Sequence, residues 1–343
     1  MTKPMGSKSI AQWILIGTAA VSATLPQNSF GWGHVGHQIV AETGSQLANQ
    51  FWSSNAGNLG VLTNVPDNTW KSGRNSSIEK PTHYFEPDSY FDNPADFTKF
   101  PRRYEDAVAA YGQKTLVEYG TAVWRIQQFY TLAVNAAKSG DFKTAVEMAG
   151  AMSHYVGDLA QPLHTTENYD GQKTGNKGIH KFFETDNLET VDFNDLKAEV
   201  LKRATKLLGD AKFTSQFQTG KTLDHAFVEV NRAYQYKDQV IGIDLKLGRS
   251  GDGATQQLDL AMDRMADGAA TLAMFLRRAW KEADLQDQAM VIRTSTPSWV
   301  APRYSNQFGL NFDAVAQSNA LSLEEEILAI VVDHDDCYEH AHE

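Results

Sequence analysis

The stretch His154-Tyr155-Val156-Gly157-Asp158-Leu159-Ala160-Gln161-Pro162-Leu163-His164 concentrates side chains able to bind a cation. On a helix, His154 and Asp158 stand four residues apart, project from one face and reach the same ion. Pro162 ends such a helix, and His164 lies just past its end. His180 and Glu184 repeat the four-residue spacing after a glycine-rich loop. Imidazole nitrogen with carboxylate oxygen suits zinc, and without nearby cysteines a thiolate structural site is ruled out. Upstream stand Trp32-Gly33-His34-Val35-Gly36-His37, then Asp67 after Pro66, then His83 at the head of His83-Tyr84-Phe85-Glu86-Pro87-Asp88. A free terminal amine at residue 32 would be a further ligand, because zinc withdraws its proton readily.

Helices must carry most of these residues. The pattern suits a helix from Trp32 to about Gln50, and residues 53–100, rich in Asn, Ser, Pro and Asp, read as long loops with short helices. Val108, Leu116, Val123, Ile126, Phe129 and Leu132 have helical spacing across 104–138; Gly140-Asp141 breaks it, and the next helix covers 143–159. Residues 165–179 are a polar, glycine-rich loop. Helical patterning resumes near 180 and recurs over 195–209, 221–236 and 255–283. Strand-like alternation is scarce, so the fold class is all-α: a compact multi-helix domain with long loops over 32–284. Residues 285–343 form a C-terminal extension, with turn signals at Pro297 and Pro302 and a short helix near 322–332.

The 343 residues carry a net charge of -11, which argues against coating duplex nucleic acid by charge alone. An enzyme acting on nucleic acid stays open, since bound cations make a site locally positive. The single cysteine, Cys337, lies in an acidic stretch that reads as solvated, so the core or bound metal must hold the fold. Lys3 and Lys8 precede the apolar run Trp13-Ile14-Leu15-Ile16, the pattern of a signal peptide over residues 1–31 and of a secreted or periplasmic protein. No later segment approaches the roughly 20 apolar residues of a transmembrane anchor. Two cleavage points fit, after Ala23 or directly before Trp32, and only the second frees an amine at Trp32.

In combination, Trp-Gly-x-x-Gly-His, His-x-x-x-Asp-x-x-Gln-Pro-x-His and His-x-x-x-acid resemble the S1/P1 nuclease family and its relative, zinc-dependent phospholipase C, over about residues 32–280. The resemblance implies a compact α-helical fold and three zinc ions per chain. One would be held by Asp67, His83, His154 and Asp158, and the second by His164, His180 and Glu184. The third would take the amino and carbonyl groups of Trp32, with His37, and share Asp158. It implies phosphodiester hydrolysis by a zinc-bridging hydroxide, with Asp158 as the bridge and Asp67 orienting the nucleophile. His34, His225, His334, His340 and His342 are left as ordinary residues.

The substrate is less determined. Four residues separate Trp32 from His37, as in the nucleases, and Val35, Asn68 and Lys80 stand where a choline-selective phospholipase would keep an acid and two aromatics. This favours single-stranded DNA or RNA. Glu184 in place of Asp, the segment His83–Asp88 and the missing disulfide cysteines favour a phospholipid. Trp70 occupies the position of the nuclease arginine, with Lys71 or Arg74 as substitutes. Tyr84 either stacks on a nucleobase, with Glu86 accepting hydrogen bonds from its edge, or packs the loop against the core. Trp52, Trp70, Tyr90 and Phe91 either line the groove or fill it. A non-catalytic zinc-binding module is the third reading, and no stable protein partner is implied. The mature chain is expected to begin at Trp32; terminal sequencing of the active protein tests this, and retention of residues such as Thr24 would remove the amino ligand.

Overall fold

In the computed structural model, residues 32–71, 76–92, 94–293 and Phe312 are described. The centre of the molecule follows from one sequence feature: apart from Glu147, Ser153, His154 and Asp158 the run from Ala145 to Ala160 is apolar, and all of it is buried. A helix that is apolar all round has to be surrounded by others. In chain order the helices are α1 (His34–Gln46), α2 (Gln50–Ser54), α3 (Ala56–Leu62), α4 (Ser76–Glu79), α5 (Tyr104–Tyr111), α6 (Gln113–Glu118), α7 (Ala122–Lys138), α8 (Phe142–Ala160), α9 (Ile179–Lys181), α10 (Phe193–Leu208), α11 (Ala211–Ser215), α12 (Thr222–Tyr234), α13 (Lys237–Leu247) and α14 (Asp252–Glu282). No strand occurs among the described residues, and the protein is all-α. Around α8 pack α7, α14, α3, α1 and α12. The 31-residue α14, about 46 Å long, also backs α1 and α10.

The ends of α8 are set locally. Asp141 caps its start, the carboxylate accepting from the Thr144 amide at 3.1 Å. Pro162 forbids its continuation: Gln161 turns extended at ψ 119°, and a 3₁₀ turn at Pro162–Thr165 redirects His164 back over the helix. The loops ahead of α5 are built from single turns, among them a π-type turn at Pro66–Trp70 and a 3₁₀ turn at Lys80–His83 that continues α4.

The sequence reads as one helical stretch from 104 to 138, and the structure divides it into α5, α6 and α7. Gly112 (φ 81°) and Gly120 (φ 96°) adopt backbone conformations that end the helix. At Gly120 the reason is close approach: a Cβ there would lie 2.1 Å from the Tyr84 carbonyl oxygen. The two segments are stitched by Glu86 N–H to Tyr119 O (2.9 Å) and Ala122 N–H to Tyr84 O (3.2 Å). Helix α13 is a second departure, since its exposed Leu245 and Leu247 blur the apolar stripe that marks its neighbours. The expected loop at 165–179 is a chain of turns. The expected signal peptide over 1–31 and the expected short helix near 322–332 lie outside the described residues.

Beyond α14 the chain returns along α2 and α3. The Asn55 side chain donates to Met290 O (2.7 Å) and accepts from the Ile292 amide (2.9 Å), in the manner of a backbone pair. Replacing Gly120 with Ala is expected to lower the unfolding free energy by about 1–3 kcal/mol from backbone strain alone, measured by chemical denaturation. An unchanged value would mean that residues 84 and 120 do not approach so closely.

Candidate metal centre

His154 and Asp158 lie one turn apart on α8, both with no exposed surface. Three other elements bring partners to them: the turn after α4 brings His83, the π-type turn brings Asp67, and the first turn of α1 brings His37. His83 Nδ1 is 3.0 Å from Asp158 Oδ2 and 3.0 Å from His154 Nε2, and His154 Nε2 is 3.3 Å from the same oxygen. Asp67 Oδ1 closes the group at 3.7 Å from both imidazole nitrogens. A tetrahedral zinc with bonds near 2.0 Å keeps adjacent ligand atoms roughly 3.3 Å apart, so this spacing fits one ion.

A second group forms past the end of α8. His180 Nε2 lies 2.9 Å from Glu184 Oε2 and 3.2 Å from His164 Nε2, and the last two are 3.6 Å apart. The opposite ring nitrogens are each taken by a carbonyl, which can only accept. His164 Nδ1 therefore donates to His83 O (2.6 Å) and His180 Nδ1 to Tyr169 O (3.0 Å). Each bond fixes the tautomer and leaves an Nε2 lone pair aimed at the shared centre. Asp170 supports His180 by accepting from the amides of Gly178 (2.9 Å) and His180 (3.1 Å).

Asp158 joins a third set. Its Oδ1 lies 3.3 Å from His37 Nε2, while Oδ2 serves the first group. His37 stacks on His154 with ring centroids 3.9 Å apart. Trp32 is fully buried against Phe183; the adjoining Gly33 amide donates to Glu184 O (3.1 Å), and Gly33 O accepts from the His37 amide (3.2 Å). The residues fit a cation on a second count: both ring nitrogens of His37 and Asp158 Oδ1 are buried without a hydrogen bond among the described residues. Such groups are costly unless something else satisfies them. Burial opposes ionisation of Asp158, yet the His154 and His164 imidazoles hold its carboxyl well below the usual range. Burial and then His37 hold His154 well below its ordinary value.

Residues absent from the sequence reading stand behind His83. Glu79, fully buried, faces His83 Nε2 at 3.6 Å with Oε1, which also accepts from the Tyr155 hydroxyl. Its Oε2 takes the Arg125 guanidinium at 3.0 Å. The Glu79–His83 spacing of four was readable; Arg125, within the apolar pattern of α7, gave no signal of its own.

Of the substrate-side residues, Tyr84, Glu86 and Lys71 line one cavity with Lys80, Tyr169 and the imidazoles of His83, His164 and His180. Lys71 Nζ is 2.9 Å from Asp67 Oδ1. Burial and then Asp88 push the Glu86 carboxyl up to about 8. Trp70 is in the core, stacked on Phe129 at 5.6 Å, and Trp52 is buried with its indole donating to Leu276 O (2.9 Å). Tyr90 packs on Phe85, and Phe91 on Phe100. Trp52 and Trp70 thus fill the interior, while Tyr90 and Phe91 are half-buried against it. His34 is exposed, His225 Nε2 donates to Thr219 O (2.7 Å), and Arg74 lies outside the described residues.

Gly157 separates His154 from Asp158 on α8, and a Cβ there would stand 2.9 Å from His37 Nδ1. The His37 ring cannot retreat, since His154 lies against its face. Gly157→Ala is expected to raise helix propensity by up to ~1 kcal/mol while displacing His37. Elemental analysis after dialysis should find less zinc per chain than in the parent, and equal zinc would refute the close packing.

The comparisons with known proteins bear on the whole described domain. The family model for S1/P1 nuclease matches residues 32–281. Among solved structures, an alpha toxin from Clostridium absonum is similar at 16% identity, covering 73% of this chain and 67% of that one with a TM-score of 0.48. The comparison with curated proteins finds no match. The family match runs unbroken from Trp32 through Glu184 to the end of α14, and the chain therefore belongs to the S1/P1 nuclease family, zinc-dependent hydrolases of phosphodiester bonds.

Proposed function

We propose that the protein cleaves single-stranded nucleic acid, using three zinc ions held by the residues of the cluster. Asp67, His83, His154 and Asp158 form the first site and His164, His180 and Glu184 the second. His37, the second oxygen of Asp158 and the main chain of Trp32 form the third. The observation that carries the substrate reading is the cavity, which joins Lys71 and Lys80 to Tyr84 and Tyr169 beside the imidazoles of the first two sites. Cations beside aromatic faces suit phosphate next to a base, and lysines repel the quaternary ammonium of a choline headgroup.

Bound zinc offsets the charge of the phosphodiester and lowers the pKa of water at the site. Asp67 orients the attacking water, and Lys71, which lines the cavity, lies beside its Oδ1. Lys71 serves where the family arginine is replaced. In the π-type turn, the Lys71 amide donates to Pro66 O (2.9 Å) across five residues, so Trp70 turns into the core and Lys71 lines the cavity. The lysine then exchanges its bond with Asp67 for a phosphoryl oxygen. Tyr84 stacks on a base. Glu86, whose carboxyl burial and then Asp88 push up to about 8, meets the base edge. Export after signal cleavage would deliver this activity to the periplasm or the exterior, and no helix among the described residues is long and apolar enough to cross a membrane.

The test is release of acid-soluble nucleotides from single-stranded DNA by zinc-loaded mature protein. Release should disappear with a chelator and return with zinc. Asp67→Asn should lose about 10²–10⁴-fold in rate with its thermal midpoint close to the parent's. Cleavage of phosphatidylcholine without nucleotide release would move the substrate to a phospholipid, as Glu184 in the second site favours. Loss of fold rather than rate in Asp67→Asn would make the cluster structural.

A further inference from the structure

The C-terminal extension reaches the back of the metal centre at one described residue. Phe312 is 6% exposed. Its ring meets Tyr104 edge to face with centroids 4.8 Å apart, lies 6.2 Å from Trp124, and has the Arg125 guanidinium over it at 5.9 Å. Arg125 has no exposed surface, and two more rings, Phe129 and Tyr155, stand 5.7 and 5.8 Å from its charge. Its guanidinium donates to Glu79 Oε2 (3.0 Å) and to Gln128 Oε1 (2.7 Å). The other oxygen of Glu79 takes the Tyr155 hydroxyl and faces His83 Nε2 at 3.6 Å. The far nitrogen of that same imidazole, Nδ1, lies inside the first metal group. One line of contacts thus runs from the extension through a buried ion pair to a ligand.

We infer that Phe312 is a positioning residue: its ring completes the apolar cover over the Arg125–Glu79 pair, and through that pair it fixes His83 as a ligand. This rests on the zinc reading of the cluster. A buried ion pair is strong only while water is excluded from it. Without the Phe312 ring, water reaches the guanidinium and competes for its hydrogen bonds. Glu79 is then held less firmly, and the carboxylate behind an imidazole is what sets the ring's orientation and its strength as a donor. Simple hole-filling in the aromatic cluster would cost stability but would leave zinc affinity untouched once the protein is folded.

The experiment uses the mature chain with its full C-terminal extension, in the parent and in Phe312→Ala, Phe312→Leu, Glu79→Gln and the Phe312→Ala/Glu79→Gln double variant. Zinc retained against a graded chelator is measured beside chemical denaturation of the zinc-free proteins. Glu79→Gln should weaken zinc binding about 10- to 100-fold. Phe312→Ala should weaken it by a smaller factor, Phe312→Leu should restore it by keeping the apolar cover, and the double variant should be no weaker than Glu79→Gln alone. Parent-like zinc retention in Phe312→Ala, or a loss that adds in full to that of Glu79→Gln, overturns the inference. If Phe312→Ala does not fold, Phe312→Val carries the same comparison. His83→Ala separates the two claims: if it keeps the parent's zinc, the zinc reading itself fails, whereas zinc loss in His83→Ala and Glu79→Gln but not in Phe312→Ala sinks this inference alone.

Discussion

Asp158 is an ionised carboxylate without exposed surface, and burying such a group costs several kcal/mol or more unless positive charge or hydrogen-bond donors surround it. The neighbourhood answers that demand from several directions at once. One oxygen faces His83 and His154, the other faces His37, and among the described residues no hydrogen bond satisfies the second oxygen. Because Asp158 sits near the end of the most deeply buried helix, each group that serves it has to arrive on a separate element. The short turns at 66–70 and 80–83, the entry of α1 and the reversal after Pro162 are the arrangement that results.

The same constraint decides how the surrounding backbone is held. His83 and His164 come from segments far apart in sequence, yet Phe85 N–H donates to His164 O (3.0 Å) while His164 Nδ1 donates to His83 O. Residues 84–86 are bound on their other side by Tyr119 and Ala122, which is why Gly120 lacks room for a side chain. Ligand geometry here is set by backbone hydrogen bonds, with a cost for each imidazole that moves. In a family that binds zinc, and in a chain whose one cysteine precludes an internal disulfide, metal and fold are coupled: ions that bind the assembled cluster stabilise the assembled protein.

The parts of the site legible in the sequence are those whose geometry is local. His154 with Asp158, and His180 with Glu184, announce themselves because a helix turns a spacing of four into a shared face. Asp67, His83 and His37 have no such spacing to one another; they are recognisable through the family motif, and their meeting depends on long-range packing. The division of 104–138 was hidden because a glycine in an apolar-periodic run is compatible with a continuous helix, and what decides against it is the Tyr84 carbonyl from another segment. Trp70 could not be assigned between groove and core from its type, since the extra residue in the π-type turn determines which way it points. The Arg125–Glu79 pair joins positions 46 residues apart, and no pattern along one helix reports such a partner.

The loop between Thr166 and Gly178 folds on its own side chains. Asn168 binds the Lys173 amide and Thr174, Gln172 binds the Asp170 amide and Glu167 O, and Asn176 is tied to Thr174 and Asp244. Residues 172–175 are exposed, whereas Asp170 and Asn176 are buried. Inward residues therefore secure His180, while the outward ones answer only to whatever passes over them, and Tyr169 connects the two by giving its carbonyl to His180 and its ring to the cavity. Such a loop lets selection alter what the protein prefers to cut through its outer residues, with the chemistry of cutting left in place.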